Sequence, residues 1–336
     1  MIRYRGEELP QEPRIAVIAN DALGNFVAAT PLLQMLRFKW EPCHITYVGG
    51  TRTQELQDAS DLFERSLILH GRPFRDTLDE VQGWPRFDLV VNLEQQPIAR
   101  AFAAALATED TFVVGPCFNS DGRGELPYAD DEVGMLAQDK DWLAADTPAR
   151  YSFLQTGFIG EIFCRLCYLD GPIPTYRVPS KDPEQDIPDV LIATAASLPE
   201  KLWPIEKWSA IVQNLSSNGY SIGLLGAKPD DQGKHWRGAE DEASLLEIGV
   251  QDLRGAFTLP QVVGAIERTR SVLTIDNGIL HLAAAAGTKT VGLFRHGIHR
   301  LWAPPFANLN AITPGEDHLV REIPVSIVQE AVSSAL

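Results

Sequence analysis

Along this chain, short runs that are apolar at every position alternate with longer stretches in which apolar residues recur every three or four places. RIAVIAN (14–20) is continuously apolar before it ends in polar residues, as a strand buried on both faces of a parallel sheet requires. Residues 28–37 (AATPLLQMLR) carry helical spacing, and CHITYVGG (43–50) returns to a strand. FDLVVNL (87–93) and TFVVG (111–115) predict two further strands around an Ala-rich helix at 98–107. Such β-α-β alternation predicts a parallel sheet.

The pattern stops at DGPIPTYRVPSKDPEQDIP (170–188), where five prolines stand among polar residues and no apolar period survives, which marks a linker. It then restarts. DVLIAT (189–194), YSIGLLGA (220–227), SVLTIDNG (271–278) and TKTVGLF (288–294) read as strands, and the segments at 206–219, 258–269 and 279–287 as helices. Gly219 and Gly287 follow the first and last of these helices, where a C-terminal cap favours glycine. PVSIVQEAVSSAL (324–336) has the spacing of a helix with one buried face, although its docking site is not readable. An α/β protein of two Rossmann-like halves is expected, with a ligand crevice at the carboxyl ends of the strands, between the halves.

Bulk properties narrow the function. At 336 residues the chain exceeds one ordinary hydrophobic core, and 22% charged residues is too few for disorder. The formal charge of −16 argues against nucleic acid or an anionic membrane surface as the main partner, since both call for a basic face. The apolar run at 15–19 is too short for a signal-peptide core or a membrane span, so no integral membrane segment and a cytoplasmic location are expected. Of the four cysteines, Cys164 and Cys167 form a C-x-x-C without a second pair at zinc spacing, and EIFCRLCYL reads as a helix with both thiols half-buried. No metal site and no cofactor are expected.

The motifs of several common enzyme classes are missing. NDALGN (20–25) follows the first long strand where a dinucleotide site would have G-x-G-x-x-G, and there is no Walker A loop, H-E-x-x-H or G-x-S-x-G. The informative stretch is IDNGILHLAAAAG (275–287), where a buried strand ends in Asp276-Asn277-Gly278 and a helix of small residues begins at once. Gly278 lets a ligand approach the backbone, and the first free amides of the helix can hold a diphosphate. His281 lies in its first turn. The same residues also fit a helix cap, a turn and a core histidine.

The stretch resembles the signature of the ADP-heptose:lipopolysaccharide heptosyltransferases, glycosyltransferase family 9. That resemblance implies a GT-B fold and assigns the ADP part of the donor to Asp276, Gly278 and His281, with Asn277 and Ile279 in the same turn. DLRGAFTLPQVVGAIERT (252–269) is similar to the family segment whose bulky residue packs on adenine, here Phe257. KLWPIEKW (201–208) resembles the family's phosphate-contacting lysine and following tryptophans, which assigns that role to Lys201, and IATA (192–195) gives Thr194 a hydroxyl toward phosphate. ALGNFVAATPLLQMLR (22–37) is similar to the family's opening loop and helix at Gly24, Thr30 and Pro31.

The resemblance implies domains at 1–172 (acceptor) and 189–315 (donor), joined by the linker 173–188, with 316–336 as a C-terminal helix. It also implies a metal-independent, inverting transfer of heptose or a related sugar from an ADP-sugar. Two departures stand out. The family's general base, an aspartate after the loop glycine, is here Asn25, whose amide accepts no proton near neutrality. Asp21, four residues earlier, is expected to take over, with a helix cap or a loop-stabilising aspartate as its other reading. After the last strand, FRHGIHRLWAPP (294–305) puts Arg295, His296, His299 and Arg300 together, either as a solvated loop or facing the diphosphate or an anionic acceptor. The acidic chain favours a soluble small-molecule acceptor over lipopolysaccharide core. Two alternatives remain open: a transferase for another nucleotide sugar, and a nucleotide-sugar-binding protein without catalysis.

Overall fold

A computed structural model describes residues 1–231, 236–238 and 241–336. The chain divides into two compact units, Met1–Arg177 and Val178–Leu336. The first is built on a six-stranded sheet of β1 (Ile2–Arg3), β2 (Arg14–Ile18), β3 (His44–Gly50), β4 (Arg65–His70), β5 (Leu89–Asn92) and β6 (Phe112–Val114), in the order β1-β6-β5-β2-β3-β4. The second holds β7 (Val190–Ala193), β8 (Ile222–Leu224), β9 (Gln251–Asp252), β10 (Ser271–Ile275), β11 (Thr290–Leu293) and β12 (Leu309–Ile312), in the order β12-β11-β10-β7-β8-β9. Every pairing in both sheets is parallel.

The continuous apolar runs form the centres of these sheets. Ile15 to Ile18 and Ser271 to Ile275 are buried at every position, because helices cover both faces. Two polar residues inside the second sheet are satisfied locally: Thr274 Oγ1 donates to the Ala193 carbonyl at 3.1 Å and Thr290 Oγ1 to that of Thr288 at 2.8 Å. The C-terminal helix Val325–Ala335 docks Val328 and Val332 into the second core.

Helix Leu23–Lys39 contains Pro31, which cannot donate to the carbonyl of Val27. The Thr30 hydroxyl donates to that carbonyl instead, at 2.7 Å. Thr30 Oγ1 also accepts the Arg177 amide at 3.1 Å, and Gln34 Nε2 donates to the Thr175 carbonyl at 2.9 Å. The first part of the Pro-rich segment is thereby tied to the first unit, while the Lys181 amide donates to the Pro260 carbonyl at 2.9 Å within the second.

The helix Ile159–Leu166 ends before Cys167, which caps it, so only Cys164 lies in the helix, and both cysteines are fully buried rather than half-buried. Burial pushes both thiols up, away from the thiolate. Glu161 in that helix holds the preceding turn by accepting the amides of Gln155, Thr156 and Gly157, which lowers its own pKa despite burial.

Candidate nucleotide-sugar site

In the second sheet the chain order reverses between β7 and β10, and in such sheets ligands bind outside the carboxyl ends of the strands at that point. Most of the expected donor residues meet there. Thr194 follows β7, and Asp276, Asn277, Gly278 and Ile279 follow β10 and lead into helix Gly278–Ala286. Asn277 fixes the junction: its Oδ1 accepts the Leu280 amide at 3.2 Å as the helix cap, and its Nδ2 donates to the Ala195 carbonyl at 3.1 Å. The cap therefore belongs to Asn277, not to Asp276.

Asp276 is committed elsewhere. Its Oδ2 lies 2.8 Å from Lys201 Nζ, which also donates to the Asp276 carbonyl at 3.0 Å. Lys201 comes from the short turn Pro199–Lys201 after β7, so the pair bridges the two strand ends at the reversal. Two contacts to one residue restrict the ammonium to a narrow position and leave one of its three protons unused by Asp276.

His281 sits one turn into the helix, 3% exposed, with the Trp302 ring 6.1 Å away in an edge-on arrangement. Burial lowers its pKa from 6.5 to about 4; Asp276 opposes the shift and Lys201 adds to it. The imidazole is therefore neutral at neutral pH and offers one N–H.

Thr194 has a partner that the sequence did not suggest. Its hydroxyl donates to Glu242 Oε1 at 2.6 Å, and Glu242 Oε2 is 3.0 Å from Arg254 Nη1, whose other nitrogens are 2.8 Å from the two Asp252 carboxylate oxygens. Glu242 is completely buried. The proton of Thr194 thus points to Glu242, and a ligand meeting this oxygen finds an acceptor, not a donor. The same chain of charges joins the end of β7 to the segment after β9 that carries Phe257, which is partly buried just before helix Leu259–Arg268. The signal for it was DLRG, with Arg254 two residues after Asp252.

The basic segment follows β11, the neighbour of β10, and begins one residue after Leu293, whose carbonyl accepts the Asp276 amide at 3.0 Å. The His296 and His299 rings are 6.2 Å apart, and Trp302, at the end of the short helix Ile298–Trp302, carries the segment to His281.

Asp21, Gly24 and Asn25 lie in the first unit, on the connection from β2 to helix Leu23–Lys39. The order reversal of that sheet falls between β2 and β5. Asp21 does not cap that helix. Its Oδ1 accepts the Arg52 amide at 2.9 Å, across the turn after β3, and a methyl group on Gly50 would lie 2.2 Å from the same oxygen. Asn25 is partly buried, and its side-chain amide makes no hydrogen bond among the described residues. At the end of β5, Glu94 Oε1 accepts the amides of Gln95 and Gln96 at 2.7 and 3.1 Å, a carboxylate at this edge that sequence reasoning missed.

Among the described residues no three His, Cys, Asp or Glu side chains are grouped to hold a metal ion, and no helix is long and apolar enough to cross a membrane.

Two Rossmann-like sheets, the second with a cationic and helix-amide site at its reversal point, define the GT-B class. Residues 175–320 match the model of glycosyltransferase family 9 (heptosyltransferase). The matched residues are less than half of the chain and lie almost wholly in its second unit. The chain is similar to a lipopolysaccharide heptosyltransferase 3 of Escherichia coli, 28% identical over a segment covering 40% of this chain and 38% of that protein. The match thus spans well under half of that curated relative. Among solved structures it is similar to a glycosyl transferase family 9 protein from Veillonella parvula, with a TM-score of 0.75 at 16% identity over 97% of this chain and 98% of that one. It is also similar to an E. coli heptosyltransferase solved with ADP, with a TM-score of 0.66 at 16% identity over 96% and 100% of the two chains.

Proposed function

We propose that the protein is a metal-independent, inverting glycosyltransferase that moves a heptose or related sugar from an ADP-sugar to a saccharide acceptor. The observation that carries this reading is the Lys201–Asp276 pair at the reversal of the second sheet, set beside the first turn of helix Gly278–Ala286. Departure of a nucleoside diphosphate builds negative charge, and a held ammonium together with helix amides meets it without a cation. The adenine preference rests on the family match and on the relative solved with ADP. For the acceptor, the lipopolysaccharide names of the relatives favour a core-type saccharide, offered either free or lipid-linked.

In the reaction proposed, Asp21 takes the proton of the acceptor hydroxyl as the new bond forms at the anomeric carbon and the bond to diphosphate breaks on the opposite face. Asn25 orients the acceptor. Two substitutions separate the chemical role of Asp21 from its hydrogen bond to Arg52: Asp21→Asn keeps an acceptor oxygen for that amide, and Asp21→Ala removes it. A base role predicts that both lose turnover while ADP affinity holds. Full turnover in Asp21→Asn rules out the base.

Binding is tested by thermal shift, since a ligand that binds only the folded state stabilises it. ADP is expected to raise the midpoint and NAD not to; equal responses to ADP and UDP remove the adenine preference. Turnover is expected to persist in excess chelator, and its loss with recovery on adding Mg²⁺ contradicts metal independence. Delipidated core oligosaccharide, lipid-linked core and small sugars are the acceptor arms.

A further inference from the structure

We propose that the segment after β11 forms a second anion subsite, which takes a phosphate group carried by the acceptor and is separate from the position of the donor's diphosphate. This rests on the transferase reading for the identity of the ligand, but its geometry stands apart from it.

Arg295, His296, His299 and Arg300 lie within six residues of one another, and among the described residues no carboxylate is within 4 Å of any of them. That is unusual in a chain of charge −16, where Arg254, Arg268 and Arg270 of the same unit each pair with an aspartate. Arg295 Nε and His296 Nδ1 are inaccessible and have no hydrogen-bond partner. Buried polar atoms are normally satisfied, so two together in one cationic segment are matched to a ligand that supplies oxygens.

The backbone is built to gather these side chains. Gly297 adopts φ +79°, a left-handed conformation that reverses the chain, and its carbonyl accepts the Arg300 amide at 3.1 Å. The Arg300 guanidinium thereby comes back over the turn, 3.8 Å from where a Gly297 side chain would begin. The His299 pKa is lowered by burial first and then by Arg300 and His296, as expected of cations gathered without a counter-charge.

The donor's diphosphate already has Lys201 and the helix amides at the end of β10. The segment lies one strand further along the sheet edge, at β11, joined to that site through Trp302 and His281. A group bound there carries charge of its own. Two guanidinium groups and two imidazoles suit a phosphate dianion, which has more acceptor positions than a carboxylate.

The experiment is a calorimetric titration of inorganic phosphate into the full chain, with and without saturating ADP, in the parent, Lys201→Ala and Arg295→Gln/Arg300→Gln. Phosphate binding is expected to survive both ADP and Lys201→Ala, and to weaken about tenfold or more in the double variant. ADP affinity is expected to change less than about twofold in that variant. Displacement by ADP, or equal phosphate binding in the double variant, overturns the subsite. His296→Gln gives the same readout if the double variant does not fold. If ADP does not bind at all while phosphate still depends on Arg295 and Arg300, the nucleotide reading fails and the subsite stands. In turnover assays, phosphatase treatment of a core oligosaccharide should raise KM in the parent and not in the double variant; an equal rise in both refutes the acceptor assignment.

Discussion

His281 makes the stability of the second unit depend on pH with a sign and size that follow from its burial. Its pKa falls from 6.5 in the unfolded chain to about 4 in the folded one, because the charged imidazolium would be desolvated at 3% exposure. Above pH 6.5 both states hold a neutral ring and the full contribution is present. As pH falls from 6.5 toward 4, the unfolded chain binds a proton that the folded chain refuses, so stability is lost across that window; below it both states are protonated. A lowering of this size corresponds to about 3 kcal/mol in total, of which about 2 kcal/mol has gone by pH 5. Urea unfolding of the parent and His281→Gln at pH 7.5 and pH 5 measures it, since the other titrating groups are common to both. The stability gap between parent and variant should narrow by about 2 kcal/mol at pH 5, with an unchanged urea slope. A gap independent of pH means that the ring is not buried as described.

Asp276→Asn strands Lys201 in a mostly buried position and should cost about 2–4 kcal/mol, but the double variant with Lys201→Ala should cost less than the sum of the singles; additive losses in a double-mutant cycle refute the pair. Glu242→Ala should destabilise the second unit by about 2–4 kcal/mol because the buried Arg254 keeps only Asp252 and Thr194 loses its acceptor, with urea midpoint as the check. Gly50→Ala should cost about 1–3 kcal/mol because the added methyl would meet the Asp21 side chain as far back as its Cβ, at 2.7 Å, and adding Asp21→Gly should recover more of it than adding Asp21→Ala; no recovery with Asp21→Gly refutes the steric account.

The central strands were legible because burial on both faces leaves an unbroken apolar run. β2, β5, β10 and β11 fall where RIAVI, LVVN, SVLTI and TVGL predict them. The strands missed are those without that signature. β1 and β9 are two residues long, β12 (LNAI) is an edge strand with two exposed positions, and β4 (RSLILH) alternates because one of its faces is less covered. At the site, sequence gathered the residues after β7 and β10 only through the family resemblance, since Lys201 and Asp276 stand 75 residues apart and no local spacing joins them. It missed Glu242, whose pairing with Thr194 spans 48 residues and has no periodic trace. The assignment of a phosphate-facing hydroxyl to Thr194 arose from the family resemblance; the direction of its proton depends on a partner that only the fold supplies.

The two sheets share a reversal of strand order but furnish it with different side chains. At the first, the groups gathered by β2 and β5 are Asp21 and Glu94, both acceptors in their present contacts. At the second, β7, β10 and β11 gather Lys201, the amides of helix Gly278–Ala286 and the cluster at 295–300, while Asp276 is spent on Lys201. In the transfer proposed, a proton leaves one substrate and an anion leaves the other, and these steps call for different surroundings: a free carboxylate beside a departing diphosphate raises the cost of its charge, and a free ammonium beside a base depresses its basicity. The acidic surplus of the chain has a local exception in the cluster at 295–300. On this argument Asn25, the residue that departs from the family pattern, matters less for its missing charge than for whether Asp21, held by the Arg52 amide, stays ionised and in place.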